Sequence, residues 1–331
     1  MKAAQAMNIV QIENPGRDYQ LVLGEASRPV PGPGQVLIAV AAAGLNNADL
    51  LQARGAYPPP PGASPILGME VSGTVAQLGE SVSGWTVGDR ICALLPGGGY
   101  AEHALADAGS LLAVPDTIDL VEAAGLPEAA FTAWTNIVDT GRLRPGETLL
   151  IHGGTSGIGS LAIQIFAALG HKVFTTAGSD EKCQAARKFG AARAINYTNE
   201  DFVAVVKEET GGKGVDVILD MVGADYIQRN IEAAALWGRI VNIAYQKSSK
   251  AEVNFAPVLT KRLTLAATTL RGRTPEQKRV IRDALEEKVW PLVGTDIRPV
   301  IDRVFPVAQA QKAHEFMSKT GHIGKILLRM G

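Results

Sequence analysis

The sequence predicts an α/β protein of two domains, in which a β-rich domain precedes a doubly wound parallel sheet. Up to about residue 120, short β-like runs such as QVLIAVAAAG and EVSGTVAQLG are separated by clusters of Gly and Pro. After that point, apolar runs of strand length alternate with amphipathic segments of helix length. Elements that alternate in this way form parallel sheets with right-handed crossovers.

Six buried strands are predicted for the parallel sheet. They are ETLLI, KVFTT, ARAINY, VDVILDMV, GRIVNIAY and LTLAATTL, and the helices between them include SLAIQIFAALG, SDEKCQAARKFG and DYIQRNIEAAALWG. The tail is predicted to be helical with one short strand, and to pack back on the first domain or on the junction. We therefore place one domain at 1–124 and 273–331, and the other at 125–272.

A glycine-rich turn, IHGGTSGIGS, lies between the strand ETLLI and the helix SLAIQIFAALG. This is the context of a Rossmann turn, in which the helix N-terminus binds the pyrophosphate of a dinucleotide. Gly154 is expected to allow the tight turn, and Gly159 the close approach of helix and strand. Ser156 replaces the middle glycine, and its hydroxyl is expected to donate to a phosphate. The alternative is a tight turn without a ligand. The predicted cofactor contacts here are Gly154, Thr155, Ser156, Gly157, Ile158 and Gly159.

The spacing of Gly153, Gly157 and Gly159 also fits the turn of short-chain dehydrogenases. Those enzymes carry the turn near the N-terminus and a Tyr-x-x-x-Lys motif downstream. No tyrosine of this chain is followed four residues later by lysine. This second interpretation therefore fails.

Composition narrows the possible functions. The 331 residues carry a formal net charge of -1, so a broad basic surface for nucleic acid or an anionic membrane is not expected. Two cysteines, Cys92 and Cys183, cannot form a disulfide framework or a cysteine-rich zinc site. The N-terminal segment lacks the apolar core of a secretory signal, and no apolar run is long enough to cross a bilayer. We therefore expect a cytoplasmic protein.

The whole chain resembles the medium-chain dehydrogenase/reductase superfamily, and within it the zinc-free, zeta-crystallin-like NADPH:quinone oxidoreductases. The resemblance is carried by LNNADLLQARGAYPPPPGAS, LGMEVSGTV, LLPGGGYAEH, LPEAAFTAW, HGGTSGIG, TAGSDEK and HIGKILL. It implies a GroES-like catalytic domain that forms one wall of the active-site cleft, beside a Rossmann domain. It also implies hydride transfer from NADPH to a quinone, with enones (conjugated carbonyls) as the alternative acceptors.

The zinc-ligand positions of the alcohol dehydrogenases in this superfamily carry other residues here. Asn46 stands at the first position, Met69 at the second and Glu128 at the third. Asn and Met are poor zinc ligands, and one carboxylate cannot hold the ion. The four-cysteine lobe for structural zinc is absent as well. The sequence thus predicts no metal site, and acceptors that need no Lewis acid.

Asn46 and Tyr57 are the predicted catalytic residues, because the resemblance places both near the nicotinamide and the acceptor oxygen. Asn46 would hydrogen-bond either group, and Tyr57 would donate to the developing oxyanion. The alternatives are that Asn46 caps the helix beginning near Ala48, and that Tyr57 braces the proline-rich loop. His152, beside the glycine turn, is assigned no proton-transfer role.

The predicted cofactor is NADPH. NAD-binding domains place Asp or Glu at the end of the second strand, where it binds the ribose hydroxyls. Here Gly178 and Ser179 follow the strand KVFTT, and Asp180 is expected to begin the next helix with Ser179 as its cap. Ser179 and Lys182 suit a 2′-phosphate, and Tyr197 resembles the family residue that joins them. The alternative is a capped helix with an exposed lysine. Further cofactor contacts implied by the resemblance are Thr132, Val222, Ala244, Tyr245 and Lys325.

Two hypotheses concern partners and function class. LTLAATTL is long and apolar and ends the sheet, so we expect it to pair with a second copy in a homodimer. Cover by the tail helix is the alternative. A nucleotide-binding protein without enzyme activity is the alternative function, and NADPH consumption with a panel of quinones separates the two. Nucleic acid is not expected as the main partner.

Overall fold

The computed structural model describes residues 5–319 and 321–331. The chain divides into two compact units. The first comprises Met1–Phe131, Arg271–Gly294 and Arg298–Gly331, and the second comprises Thr132–Leu270 and Thr295–Ile297. Residues 1–4, which belong to the predicted first domain, lie outside the described residues. No helix in the described ranges is long and apolar enough to cross a membrane.

The elements are numbered along the chain. The strands are β1 Ala6–Glu13, β2 Gln20–Ser27, β3 Gln35–Gly44, β4 Glu70–Leu78, β5 Arg90–Leu94, β6 His103–Asp107, β7 Leu111–Ala113, β8 Thr148–His152, β9 Lys172–Ala177, β10 Arg193–Asn196, β11 Val215–Asp220, β12 Ala234–Asn242, β13 Thr264–Ala267, β14 Ile301–Pro306 and β15 Lys325–Arg329. The helices are α1 Asn47–Ala53, α2 Pro127–Trp134, α3 Gly157–Ala168, α4 Asp180–Lys188, α5 Phe202–Glu209, α6 Tyr226–Ala233, α7 Ala256–Lys261, α8 Pro275–Lys288 and α9 Ala310–Met317. A π-helical segment, Thr135–Thr140, follows α2.

The first unit contains a mostly antiparallel sheet in the order β14-β15-β3-β4-β5-β7, with β6 also paired to β3 and a separate β1-β2 hairpin. The tail segments up to Met317 contain the one predicted strand, β14, and a second strand, β15, follows them. The run KILL is too short for its periodicity to distinguish a strand from a helix, and it is a strand because it pairs with β3 and β14. This pairing brings Lys325, the first residue of β15, next to the end of β3: the Leu45 N–H donates to the Ile326 carbonyl at 2.9 Å.

The second unit contains the six-stranded sheet in the order β10-β9-β8-β11-β12-β13, and every pair is parallel. The six predicted strands and the doubly wound fold are confirmed. The strand order reverses between β8 and β11. In open sheets of this kind, ligands bind outside the carboxyl ends of the strands at that reversal.

The prediction of a helix over DYIQRNIEAAALWG is wrong in its second half. The helix α6 ends at Ala233, and β12 begins at Ala234. Its pairing with β11 jumps from Val215↔Ala234 to Val217↔Arg239, so the residues between bulge outward. Trp237, in this bulge, has a φ of 63° and is 61% exposed. Alanine favours helix by local propensity, but the sheet contacts override it here.

His314 is enclosed in the core of the first unit. The Tyr19 hydroxyl lies 2.9 Å from its Nδ1, and the Tyr100 hydroxyl lies 3.2 Å from its Nε2. Both phenol rings also pack edge-on against the imidazole. Burial, with a smaller contribution from Arg54, lowers the pKa of His314 to about 3. The neutral imidazole is therefore the form that folding requires.

We expect His314→Gln to change how stability depends on pH. In wild type the folded state keeps His314 neutral while the unfolded chain protonates it below pH ~6.5, so this residue lowers stability as the pH falls. The variant lacks that effect. The free energy of unfolding of wild type should therefore fall relative to that of the variant, by up to about 1.4 kcal/mol per pH unit from pH ~6.5 downward. Urea unfolding at several pH values measures this difference, and a constant difference contradicts the assignment.

Candidate functional site

Asn46 lies where β3 gives way to α1, and its side chain is buried. Its Oδ1 accepts a hydrogen bond from the Nζ of Lys325 at 2.8 Å. Its Nδ2 donates to Oε1 of Glu70 at 3.0 Å. The polarity of these two partners fixes the orientation of the amide, since only the oxygen can face the ammonium.

Glu70 and Lys325 form an ion pair whose side chains are 0% and 4% exposed. The second oxygen of Glu70 accepts the backbone N–H of Glu128 at 2.9 Å. Gly44 has no room for a Cβ, which would meet the Glu70 carboxylate. The Asn46–Glu70–Lys325 cluster is therefore closely packed and hydrogen-bonded. A buried ion pair persists only when its geometry and additional hydrogen bonds offset the loss of hydration.

Asn46 is the N-cap residue of α1, and Asp49 completes a capping box with it. One carboxylate oxygen accepts the Asn46 N–H at 2.8 Å, and the other accepts the Gly68 N–H at 2.9 Å. Burial raises the pKa of Asp49 to about 6, although both backbone hydrogen bonds oppose this shift. Asn46 thus stands at the start of the helix as the alternative interpretation expected, and its amide also bonds to Glu70 and Lys325.

Tyr57 is held by Arg271, a residue that the sequence did not single out. The guanidinium lies 5.4 Å from the ring centroid of Tyr57 and donates to its carbonyl at 3.4 Å. It also donates to the Pro96 carbonyl at 2.8 Å and to Oε1 of Gln52 at 2.6 Å. Partial burial raises the pKa of the Tyr57 hydroxyl, so it remains a proton donor at neutral pH. No sequence signal identifies Arg271, because its partners come from distant segments.

The residues at the zinc positions do not fit a zinc ion. The Asn46 carbonyl oxygen already faces the cationic Lys325, and the Glu70 carboxylate neutralises that cation. Met69 offers only a thioether, a poor ligand for Zn²⁺. No group of three or more His, Cys, Asp or Glu side chains within residues 5–319 and 321–331 is arranged to hold a metal ion. We derive no chemical step from zinc.

The glycine turn connects β8 to α3 in the second unit, as the motif predicts. Gly153 has a φ of +70° and is the residue that needs left-handed freedom. Gly154 was expected in that role, but its φ is not positive, and it is required because a Cβ would meet the Thr175 side chain. A Cβ on Gly159 would meet the Gly153 carbonyl, so the close approach of helix and strand depends on that glycine.

Ser156 is the N-cap of α3. Its hydroxyl oxygen accepts the Gly159 N–H at 3.0 Å, and the hydroxyl donates toward the Met221 sulfur at 3.7 Å. In this arrangement the hydroxyl satisfies the helix end, which differs from the expected donation to a phosphate. Thr155 is buried, whereas Gly157 and Ile158 are partly accessible. The first N–H groups of the helix remain the natural anion donors.

The residues proposed for the 2′-phosphate lie together after β9 and β10. Ser179 caps α4 by accepting the Lys182 N–H at 3.2 Å. Tyr197 is 49% exposed, and its hydroxyl occupies the place that a Cβ of Gly178 would take. β9 ends at Ala177, so no carboxylate stands at the strand end. Asp180 instead accepts a hydrogen bond from Asn196 at 2.7 Å.

The remaining predicted cofactor residues fall into three places. The Val222 N–H donates to Asp220 at 2.7 Å, and Tyr245 packs against Gly223, so the turns after β11 and β12 adjoin. Ala244 lies in the second of these turns. Thr132 is buried, and its carbonyl accepts the Asn136 amide at 2.8 Å. Lys325 belongs to the first unit, where its ammonium contacts Asn46 and Glu70.

The second unit fits a dinucleotide. At the glycines of its turn, no side chain blocks the approach of a ligand to the backbone. The turn leads into the capped N-terminus of α3, at the point where the strand order reverses. Partial positive charge at that N-terminus suits a pyrophosphate. The turns after β9, β11 and β12 surround the same edge of the sheet.

Models of two protein families match the chain. The alcohol dehydrogenase GroES-like domain matches residues 32–116, and the zinc-binding dehydrogenase domain matches residues 157–287. The rat quinone oxidoreductase (Rattus norvegicus) is 31% identical over 305 residues, which cover 91% of this chain and 90% of that protein. The chain belongs to the quinone oxidoreductase branch of the medium-chain dehydrogenase/reductase superfamily. The GroES-like and Rossmann assignments are thereby confirmed.

Other relatives in this superfamily differ in their named activities. The 2-haloacrylate reductase of a Burkholderia species is 32% identical over 96% of this chain and 97% of its own length. A phenolphthiocerol/phthiocerol polyketide synthase polypeptide of Mycobacterium tuberculosis is 33% identical over 98% of this chain. The chain spans only 15% of the length of that synthase.

Solved structures of the superfamily superpose over nearly the whole chain. The CurK enoyl reductase has a TM-score of 0.85 and 27% identity, and covers 99% of this chain and 100% of its own. A mycobacterial quinone oxidoreductase has a TM-score of 0.83 and 27% identity, and covers 98% of this chain and 100% of its own. Quinone oxidoreductases and enoyl reductases thus share this architecture.

We expect Lys325→Met to destabilise the protein by about 3–5 kcal/mol, because it leaves the Glu70 carboxylate buried without its cation. Adding Glu70→Gln should recover about 2 kcal/mol or more, since the new amide can accept from Glu128 and, once the Asn46 amide turns over in the absence of Lys325, donate to the Asn46 oxygen. Urea unfolding of wild type, the two single variants and the double variant measures the coupling. A double variant as unstable as Lys325→Met alone contradicts this account of the ion pair.

Proposed function

We propose that this protein is an NADPH-dependent reductase that transfers hydride to quinones without zinc. The observation that carries the proposal is the Asn46–Glu70–Lys325 cluster. At the position of the first zinc ligand it presents an amide that is already bonded to a buried ammonium and a carboxylate. Without a Lewis acid, the oxidation of simple alcohols lacks its usual means of stabilising an alkoxide and is disfavoured.

The chain's own residues would bind NADPH at the carboxyl edge of the second sheet. When bound, this cofactor supplies the hydride. The α3 N-terminus and the turn before it would hold the pyrophosphate. Ser179, Lys182 and Tyr197 would hold the 2′-phosphate, since the lysine supplies a positive charge and the hydroxyls supply hydrogen bonds. The absence of an acid at the end of β9 removes the usual partner of NAD ribose hydroxyls.

Quinones suit a site with this chemistry because they need little activation. Their ring is electron-poor, and the product oxyanion is stabilised by aromaticity. Tyr57, held by Arg271, would donate a hydrogen bond to that oxygen, and water would deliver the final proton. Neither a metal nor a strong general acid is required.

Reduction of conjugated carbonyls is the second candidate function. It is favoured by the similarity to the 2-haloacrylate reductase and to the CurK enoyl reductase. The same cofactor geometry serves both reactions. The enolate formed from an enone is more basic than a quinol oxyanion, so its formation depends more strongly on a positioned proton donor.

We expect kcat/KM for NADPH to exceed that for NADH. Lys182→Ala should weaken NADPH binding about tenfold or more, which is the effect of losing a charge-assisted contact, and should affect NADH little. Steady-state kinetics with both cofactors measures the preference. Equal or higher kcat/KM with NADH would show that the 2′-phosphate assignment is wrong.

An acceptor panel with wild type and Tyr57→Phe tests the reaction. Quinones should be turned over faster than enones. Tyr57→Phe should cost quinone reduction about tenfold or less, within the range of one hydrogen bond, and should cost enone reduction more. Spectrophotometric assays of NADPH consumption report both rates.

Three outcomes of that panel would count against the proposal. An enone that is reduced far faster than any quinone supports the second candidate. Complete loss of quinone reduction in a folded Tyr57→Phe protein that still binds NADPH makes Tyr57 indispensable. A wild-type protein that binds NADPH but consumes none with any acceptor supports the non-enzymatic alternative.

Activity should also persist in chelator, and loss of activity there would overturn zinc independence.

We propose further that the protein is a homodimer joined through β13. This strand is shorter than expected, with only four residues, but it is one of the two edge strands of the sheet and is largely exposed. Exposed apolar side chains lie on it and on the preceding segment, at Leu265, Leu259 and Phe255. Antiparallel pairing with a second copy would cover both the strand edge and these side chains.

Light scattering at micromolar concentration should therefore give the mass of two chains. Leu265→Lys should shift the protein toward monomer, because it places a charge at the proposed interface. Val87→Lys, at an exposed apolar position of the first unit, is the matched control and should leave the mass unchanged. A monomeric wild type contradicts the proposal.

A further inference from the structure

Buried polar side chains connect the ends of the four central strands in the second unit. Thr176, His152, Asp220 and Asn242 lie at or next to the last residues of β9, β8, β11 and β12. Asn230 of α6 lies among them. We name these five residues the strand-end network. Their exposures range from 0% to 9%, so water does not satisfy their polar groups.

Asp220 determines the direction of the hydrogen bonds around it, because an ionised carboxylate can only accept. One oxygen accepts from the amides of Asn230 at 3.1 Å and Asn242 at 2.8 Å. The other accepts the backbone N–H groups of Val222 at 2.7 Å and Gly223 at 3.3 Å.

The hydrogen-bond donors and acceptors of Asn230 and His152 follow from those of Asp220. Since the Asn230 amino group faces Asp220, its carbonyl oxygen faces His152, where Nε2 must donate across 2.7 Å. The Nδ1 atom is then the acceptor and takes the Thr176 hydroxyl at 3.0 Å. Burial lowers the pKa of His152, which favours the neutral imidazole that this arrangement requires.

The network ends at the turns that would carry the dinucleotide. Thr176 approaches the Gly153 N–H at 3.4 Å, at the start of the glycine turn. Asp220 holds Val222 and Gly223 directly, and its backbone carbonyl accepts the Ile243 N–H at 2.8 Å. Three separate turns are thus attached to one set of directed hydrogen bonds. The Phe202 and Tyr226 rings pack edge-on against His152, each at 4.8 Å, and restrict any adjustment of its ring.

We propose that Asp220, Asn230 and His152 are positioning residues for the dinucleotide: their directed hydrogen bonds hold the turns after β8, β11 and β12 in the arrangement that binds it. This inference rests on the cofactor part of the proposed function, but not on the identity of the acceptor. A network needed only for folding would affect stability alone. A positioning network must also affect the affinity for NADPH in protein that remains folded.

The test exchanges the amide and the carboxylate between positions 220 and 230. Asn230→Asp alone places two carboxylates against each other, at positions 220 and 230. Asp220→Asn alone places two amino groups against each other at the same positions. Each should raise the NADPH Kd about tenfold or more, the effect of an unsatisfied buried polar pair. In the double variant, the carboxylate at 230 accepts from His152 and from the amide at 220, whose oxygen still accepts from Val222 and Gly223. Only the Asn242 amide loses its acceptor, so the Kd should return to within about threefold of wild type.

Asp216→Asn is the matched control at the opposite, amino edge of the same sheet. The Asp216 carboxylate accepts the N–H and hydroxyl of Thr148 at 2.7 and 2.8 Å, and so links β11 to β8 away from the turns. This variant should lower Tm while leaving the NADPH Kd within about twofold of wild type. Calorimetric titration with NADPH and thermal unfolding without cofactor are measured for all five proteins.

Two results with the variants would overturn the inference. One is that the single variants lower Tm as Asp216→Asn does but keep the wild-type Kd; the other is that the double variant binds no better than the singles. Failure of the proposed function is recognised separately, as a wild type that binds NADPH and reduces neither quinones nor enones, and this leaves the inference standing. A wild type that binds neither NADPH nor NADH overturns it.

Discussion

Glu70 is a carboxylate removed from water, and the Lys325 ammonium is the charge that makes its burial tolerable. Much of the first unit's site is arranged around this pair. Asn46 is oriented by it, Gly44 must lack a side chain beside it, and the backbone of Glu128 donates to it. The same pair fixes the orientation of Asn46, which stands where the alcohol-dehydrogenase pattern has its first zinc ligand, and its charges neutralise each other. The proposed choice of easily reduced acceptors follows from this constraint.

Local patterns were sufficient to predict the sheet of the second unit. Its strands are continuous apolar runs, and the glycine turn is recognisable from its composition, so periodicity and turn chemistry agree there. The resemblance was likewise visible in the order of motifs. Asn46 and Tyr57 could be named from the resemblance, but their surroundings could not. Arg271, Glu70 and the β15 strand act through partners far away in the chain, which no local window contains.

The errors have related causes. Gly153 and Gly154 are adjacent, and only the φ angles and the neighbouring Thr175 reveal which glycine bends the chain and which avoids a clash. The segment after Ala233 was assigned to helix because its alanines favour helix, whereas pairing with β11 makes it a bulged strand. The assignment of no proton-transfer role to His152 is not among these errors, although its hydrogen bonds to Thr176 and Asn230 could not be foreseen from its place beside the turn. Tertiary contacts decided each of these cases.

The return of the C-terminal strand to the first unit has a consequence for biosynthesis. Asn46 and Lys325 are 279 residues apart, and the whole second unit lies between them. At ordinary rates of translation, roughly 5–20 residues per second, Glu70 and Asn46 wait on the order of tens of seconds for their cation. Nearly all of the second unit lies in one continuous stretch of chain, Thr132–Leu270, so it can fold during that time. The middle of the chain would therefore be able to reach its native structure before the Glu70 carboxylate gains the cation that makes its burial tolerable.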